Sequence, residues 1–206
     1  MEKVSKTRSP IQKRGIETKA KLVETAKVLF IEKGYYKTHG PEIAARAGLA
    51  TGTFYSYFKD KKDVLLELIR QFYQQAIDRA LSKLDVNLLT SGDGRKIIRE
   101  IIQTLYNFHA EQQDFHRGLY PLMFMEKDAM ELIRQEDQKI IDMIASYYKT
   151  NNLIGVTDVK ISAELTFRIS DEIIHRLLFW GSQSSSDRLI EELEEMLFKY
   201  LFSPRL

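Results

Sequence analysis

The chain has 206 residues, 44% hydrophobic and 29% charged, enough to bury a core in one or two small domains. It has no cysteine, which excludes disulfides, thiol catalysis and every cysteine-based zinc or iron–sulfur centre, leaving histidine and carboxylates as the strong metal ligands. The net charge of +2 is unevenly spread: residues 1–62 carry 14 Lys+Arg against 6 Asp+Glu, a balance of +8, and the remainder 17 against 23, or −6, which is the footprint of a polyanion-binding end on an acidic body.

Residues 1–15 show no apolar periodicity and contain Lys3, Lys6, Arg8, Lys13 and Arg14, so they read as a flexible basic arm. The pattern predicts a first helix from a cap near Thr18, with Leu22, Ala26, Leu29 and Phe30 at helical spacing and Gly34 as its stop. Pro41 suits the first turn of a second helix, which continues through Ile43, Ala44 and Ala47 until Gly48 permits a tight turn. Residues 51–58 form a third helix. Two short helices and a glycine-containing turn make a helix-turn-helix over residues 41–58. Ile43, Ala44, Leu49, Phe54 and Phe58 are its expected scaffold, and Thr51, Thr53, Tyr55, Ser56 and Tyr57 are left to face outward.

A long fourth helix begins at residues 61–63 and carries Val64, Leu65, Leu68, Ile69, Phe72, Tyr73 and Ile77. Helical patterns recur at 95–110, 115–125, 129–151, 159–180 and 187–202, with breaks at 90–94, 151–157 and 181–186 where Gly, Asn, Asp and Ser cluster. Nothing alternates with a two-residue period, so the fold class is all-α with about nine helices. The expected division is an arm over 1–15, a helix-turn-helix domain over 16–62 and a helical effector-binding and dimerisation domain over 63–206. No run approaches about 18 uninterrupted apolar residues, and the N-terminus lacks the apolar segment of a secretory signal. The expected location is the cytoplasm, with no membrane partner.

The stretch Ile43-Ala44-Ala45-Arg46-Ala47-Gly48-Leu49-Ala50-Thr51-Gly52-Thr53-Phe54-Tyr55-Ser56-Tyr57-Phe58, followed by Lys61, closely resembles the DNA-binding signature of the TetR (tetracycline-repressor-like) family of regulators. The local pattern extends from Thr18 to Leu66. The resemblance implies a homodimer joined by the last two helices of each chain, an effector pocket in the C-terminal domain, and double-stranded DNA with a palindromic operator as partner. It departs from the family pattern at His39-Gly40-Pro41, where a Thr or Ser cap and a β-branched apolar residue are usual.

In a helix-turn-helix the third helix enters the major groove, where base edges present distinguishable patterns. Thr51, Thr53, Tyr55 and Ser56 are the expected base or adjacent phosphate contacts, with Gly52 letting the backbone come close. Tyr57 and Lys61 are expected on phosphates. His39, with Thr38 as its neighbour, is a candidate replacement for the missing hydroxyl at the start of the second helix, against a loop histidine facing water, and Lys13 and Arg14 are candidate minor-groove contacts, against a solvated tail.

In the body, Phe108, His109, Tyr120, Met123, Phe124, Glu172, His175 and Phe179 are candidate walls of a pocket for an apolar or amphipathic effector, against plain core packing as the alternative. Pro121 is expected to bend or open its helix there. His175 stands three residues after Glu172 and four after Asp171, a spacing that reads as a hydrogen-bonded pair more readily than as a metal site. His109 and His116 are too isolated to group, and no metal or cofactor is assigned. On the last helix Leu189, Leu193, Met196, Leu197 and Tyr200, with Leu201, form an apolar stripe assigned to the dimer interface, with packing on its own chain as the alternative. The resulting function is a sequence-specific transcriptional regulator, a repressor relieved by a small molecule. A non-specific or architectural DNA binder is the alternative, and an enzyme is disfavoured because no phosphate-cradling loop, nucleophile elbow or His-Glu-x-x-His motif is present.

Overall fold

The structure is a computed structural model that describes residues 10–83, 93–151, 154–181 and 185–202; the side chains of residues 10–12 and of Met123, an expected pocket residue, lie outside the described part, as do Lys3, Lys6 and Arg8. The elements are α1 (Pro10–Lys33), α2 (Gly40–Arg46), α3 (Thr51–Tyr57), α4 (Lys61–Lys83), α5 (Gly94–Glu111), α6 (Gln113–Met125), α7 (Lys127–Thr150), α8 (Val159–His175), a π-helical turn (Arg176–Trp180) and α9 (Ser186–Phe202). Every described regular element is helical, as the periodicity implied. No described helix is long and apolar enough to cross a membrane.

The first correction falls at the N-terminus. Residues 10–15 are the opening turns of α1 rather than part of a flexible arm, and Thr18 is no cap: its hydroxyl donates to Arg14 O at 2.8 Å inside the helix. Lys13 and Arg14 are exposed, and so polar a helical turn leaves no apolar periodicity to read. Leu22, Val23, Ala26, Leu29 and Phe30 form the buried stripe of α1, and Gly34, at φ +91°, ends it with its N–H on Phe30 O.

Gly40 opens α2 with Pro41 in the first turn, as expected, and packing dictates the glycine. A Cβ there would lie 2.6 Å from the Phe54 ring, so only a bare backbone allows α3 to close onto α2. Gly48 takes φ +68° in the connecting turn, and Leu49 N–H reaches back to Ala44 O. Ile43, Ala44, Phe54 and Phe58 are buried and Leu49 packs against them, which is the scaffold expected of them.

Two apolar clusters hold the chain together. The first joins α1 to α4 with Phe115, Leu119 and Leu122 of α6 and Ala129 and Leu132 of α7. The core of the head therefore does not stop at residue 62; it runs through Ile69 of α4 and is sealed by helices of the body. The second gathers Ile98 and Ile102 of α5, Ile141, Ala145 and Tyr148 of α7, Ala163 of α8, and Ile190, Leu193, Leu197 and Leu201 of α9. This corrects the reading of the last helix. Leu193 and Leu197 are 4% and 3% exposed within the single chain, and Leu189 and Tyr200 are half-buried, Tyr200 with its hydroxyl on that of Ser162 at 2.8 Å. Of the stripe, Met196 stays outside, and α8 exposes Ile161 and Leu165. An apolar stripe reports that a helix face is covered, not by which chain.

Candidate nucleic-acid interface and effector region

The outward face of α3 follows from the burial of Phe54. Thr51, Gly52, Tyr55, Ser56 and Tyr57 are exposed and Thr53 is half-exposed. Ser56 Oγ donates to Gly52 O at 2.9 Å, leaving its oxygen lone pairs outward. Around Gly52 a Cβ would meet nothing within 4 Å, and its φ is not positive, so nothing in the folded chain requires a glycine there.

Two of the expected phosphate contacts are engaged elsewhere. Thr38 is completely buried, donating its hydroxyl to Gly34 O at 3.0 Å and Leu29 O at 3.5 Å, where it ties down the end of α1. Lys61 donates to Tyr35 O at 2.9 Å and Tyr36 O at 3.0 Å, with its ammonium 4.6 Å from the centre of the Tyr35 ring. That ammonium bonds carbonyls of the turn after α1, where Tyr35 O also accepts the Thr38 N–H, and anchors the turn to the start of α4. Burial lowers its pKa from the ordinary value, the cost of placing a cation there.

His39 caps α2 with extended backbone, its side chain exposed and making no cap hydrogen bond. Lys13, 4.0 Å from Glu17, and Arg14 are exposed on helical backbone, and a Cβ on the adjacent Gly15 would sit 3.6 Å from Tyr57 Oη, so this turn of α1 lies beside the end of α3. The motif reading missed Lys37 and Lys59. Both are exposed beside the helix-turn-helix, and neither makes an ion pair among the described residues, whereas Lys33, Arg46 and Lys62 are paired with Glu42, Glu32 and Asp128. Sequence gives charge but not pairing, so these two could not be separated from the rest.

In the body, the expected pocket is filled by rings. Phe72 of α4 stacks on Phe115 with centres 4.7 Å apart, His116 stacks on Phe179 at 4.3 Å, and Tyr120 lies 5.0 Å from His175. His109, Tyr120, His175 and Phe179 thus converge. Phe108 packs behind them, fully buried, while Phe124 is 64% exposed and Glu172 faces solvent, paired with Arg176 at 2.9 Å. Glu172 therefore stands outside the ring cluster, and Phe124 meets it only at its surface edge, its ring 5.3 Å from that of Tyr120. Pro121 stays inside α6, exposed, without ending it. The carboxylate partner of His175 is Asp171: Nδ1 donates to its backbone oxygen at 2.8 Å and faces its carboxylate at 3.3 Å.

Three histidines meet in this cluster, all buried, with one ring nitrogen from each within 4.8 Å of the others. His109 Nδ1 and His116 Nε2 are 3.1 Å apart. Burial, reinforced by the neighbouring His175, holds both His109 and His116 down at about 3, so both are neutral near pH 7. Burial also opposes the charge of His175, but the hydrogen bonds and charge of Asp171 overcome it and raise that pKa above the ordinary value. The helix break at Gln112 separates His109 from His116, so no single periodicity joins them.

Comparison with known proteins agrees with this architecture. Residues 22–68 match the family described as "Bacterial regulatory proteins, tetR family", and residues 95–201 match "Tetracyclin repressor-like, C-terminal domain". The chain is 37% identical over 166 residues to the fatty acid metabolism regulator protein of Bacillus subtilis (strain 168), covering 74% of this chain and 79% of that protein. It is 31% identical over 155 residues to the HTH-type transcriptional regulator YuxN of the same organism, covering 72% of this chain and spanning 50% of that relative's length. A TetR-family transcriptional regulator from Syntrophomonas wolfei superposes with a TM-score of 0.71 at 20% identity, over 89% of this chain and 94% of that one. With both of its halves matched, the chain belongs to the TetR family of DNA-binding transcriptional regulators.

Proposed function

We propose that the chain is a homodimeric repressor whose two α3 helices read successive major grooves of a palindromic operator, and whose operator binding is relieved by a small apolar or amphipathic effector. The observation that carries the reading is the exposed face of α3 on a buried scaffold. Thr51, Gly52, Thr53, Tyr55 and Ser56 meet bases or adjacent phosphates, and Tyr57, Lys37, Lys59 and the exposed His39 meet phosphates. Lys13 and Arg14 add charge beside the end of α3.

The dimer forms through α8 and α9, with Ile161, Leu165 and Met196 as apolar contacts, since these remain exposed after the chain has folded. The ring cluster of α4, α5, α6 and α8 is the effector region. One relative bears the name of a fatty acid metabolism regulator, which supports an amphipathic effector. Phe72 supports a route from effector to operator: it lies on α4, whose earlier turns belong to the core of the head, and its ring is 5.5 Å from that of His109 and 5.2 Å from that of His116. An effector that separates these rings shifts α4 and favours a dimer with wrongly spaced reading helices.

Selection of bound fragments from the source genome, followed by footprinting, tests this reading. Discrete protection of palindromic sites is expected, released by an extract of cellular small molecules. Uniform coverage refutes sequence-specific reading, and protection that no extract releases refutes the effector.

A further inference from the structure

We propose that His109, His116 and His175 bind one divalent transition-metal ion of the imidazole-seeking class, Zn2+ or its neighbours Co2+ and Ni2+, with a further coordination position left open. The site goes beyond the effector reading and does not depend on it.

Geometry carries the argument. The three ring centres form a nearly equilateral triangle with sides of 5.0, 4.8 and 5.0 Å. Three imidazoles on a tetrahedral ion with metal–nitrogen bonds of about 2.0–2.1 Å place their ring centres about 5 Å apart and their ligating nitrogens about 3.4 Å apart. The rings already stand at the required separation. The His109 Nδ1 to His116 Nε2 distance of 3.1 Å is close to the nitrogen spacing, and one ring nitrogen from each of the three lies within 4.8 Å of the others.

Unmet hydrogen bonding is a second and independent observation. His175 Nε2 is buried with no hydrogen-bond partner, although the residue is only 4% exposed. Packing alone leaves this nitrogen unsatisfied, whereas buried polar atoms are nearly always paired. The engagement of His175 Nδ1 by Asp171 fixes the tautomer that leaves the Nε2 lone pair free, the arrangement that metal-bound histidines characteristically show.

Donor chemistry selects the ion. Three imidazoles and no thiolate suit Zn2+, Co2+ and Ni2+, not Mg2+ or Ca2+, which take oxygen ligands. The cluster reaches the surface beside Tyr120, where Trp180 and Phe124 are 51% and 64% exposed, and this edge provides the route for the ion.

The test uses the full-length protein, chelator-stripped, loaded with Zn2+ or Co2+ and passed through a desalting column. Elemental analysis is expected to find one ion per chain, with the intense visible absorption of four-coordinate Co2+. His116→Gln and His175→Gln are expected to weaken retention at least about 100-fold, more than the 10- to 100-fold typical of losing an outer hydrogen-bond partner. No retained metal overturns the proposal, as does stoichiometric metal held unchanged by both variants. Trp180 is the single tryptophan of the chain, its ring 6.3 Å from that of His175, so Co2+ loading of the wild type is expected to quench its emission in a saturable way. If circular dichroism shows that the variants do not fold, this wild-type titration decides: saturable quenching at one equivalent upholds the site, and undiminished emission overturns it. Because neither operator nor organic ligand enters the measurement, a negative result leaves the repressor reading untouched, and failure of that reading leaves the metal result standing.

Discussion

Replacing Gly52 with alanine separates what the fold needs from what the operator needs. Gly52 is the second residue of α3, with no positive φ and with open space where a Cβ would stand, so the methyl group strains nothing in the free protein. Removing a helical glycine stabilises by at most about 0.5–1 kcal/mol, which for a chain of this size raises the melting temperature by about 1–4 °C. On the proposed reading, the same methyl is expected to fill the gap through which the backbone approaches the operator. A loss of about 1–2 kcal/mol in each half-site corresponds to a roughly 30- to 700-fold weaker dimer. Thermal melting of the free protein and fluorescence anisotropy with a labelled operator at fixed salt measure the two effects. A variant that binds as tightly as the wild type, or that melts lower, refutes the reasoning.

Thr38→Val keeps the shape of a buried side chain but removes the donor to Gly34 O and Leu29 O, so it is expected to cost about 1 kcal/mol in chemical denaturation with no change in operator affinity of the folded protein. Lys61→Met should lower the melting temperature and leave the salt dependence of operator binding unchanged, because its ammonium serves Tyr35 O and Tyr36 O; a phosphate contact would instead reduce the slope by about 0.9 per chain. Gly40→Ala drives a methyl into the Phe54 ring and is expected to destabilise the head by about 1–3 kcal/mol, read as a lower denaturation midpoint. For the dimer, Leu165→Glu should yield folded monomers in sedimentation experiments, whereas Leu193→Ala should cost about 2–5 kcal/mol of stability without changing the oligomeric state of the folded protein.

Local periodicity made the helical class and the helix-turn-helix legible, because an apolar residue every third or fourth position marks a buried helix face wherever that face packs. Ile43, Ala44, Phe54 and Phe58 inside, with Tyr55 and Tyr57 outside, follow from this rule alone. The rule is silent on polar turns, so residues 10–15 read as an arm although they are helical. It is equally silent on which surface covers a stripe, so Leu193 and Leu197 pointed to a partner chain although they are buried in one cluster with Ile98, Ile102 and Ile141 of their own.

The sequence by itself thus determined the helical class, the order of the helices and the face of α3 that stays exposed, since each depends on residues within a few turns of one another. The tertiary structure alone decided the roles of polar side chains. Thr38 and Lys61 bond to carbonyls of the α1–α2 turn, and His109, His116 and His175 arrive at one point from three helices. A hydroxyl, an ammonium or an imidazole acts through contacts over 3 to 5 Å, and those contacts exist only after segments distant in the chain have been brought together.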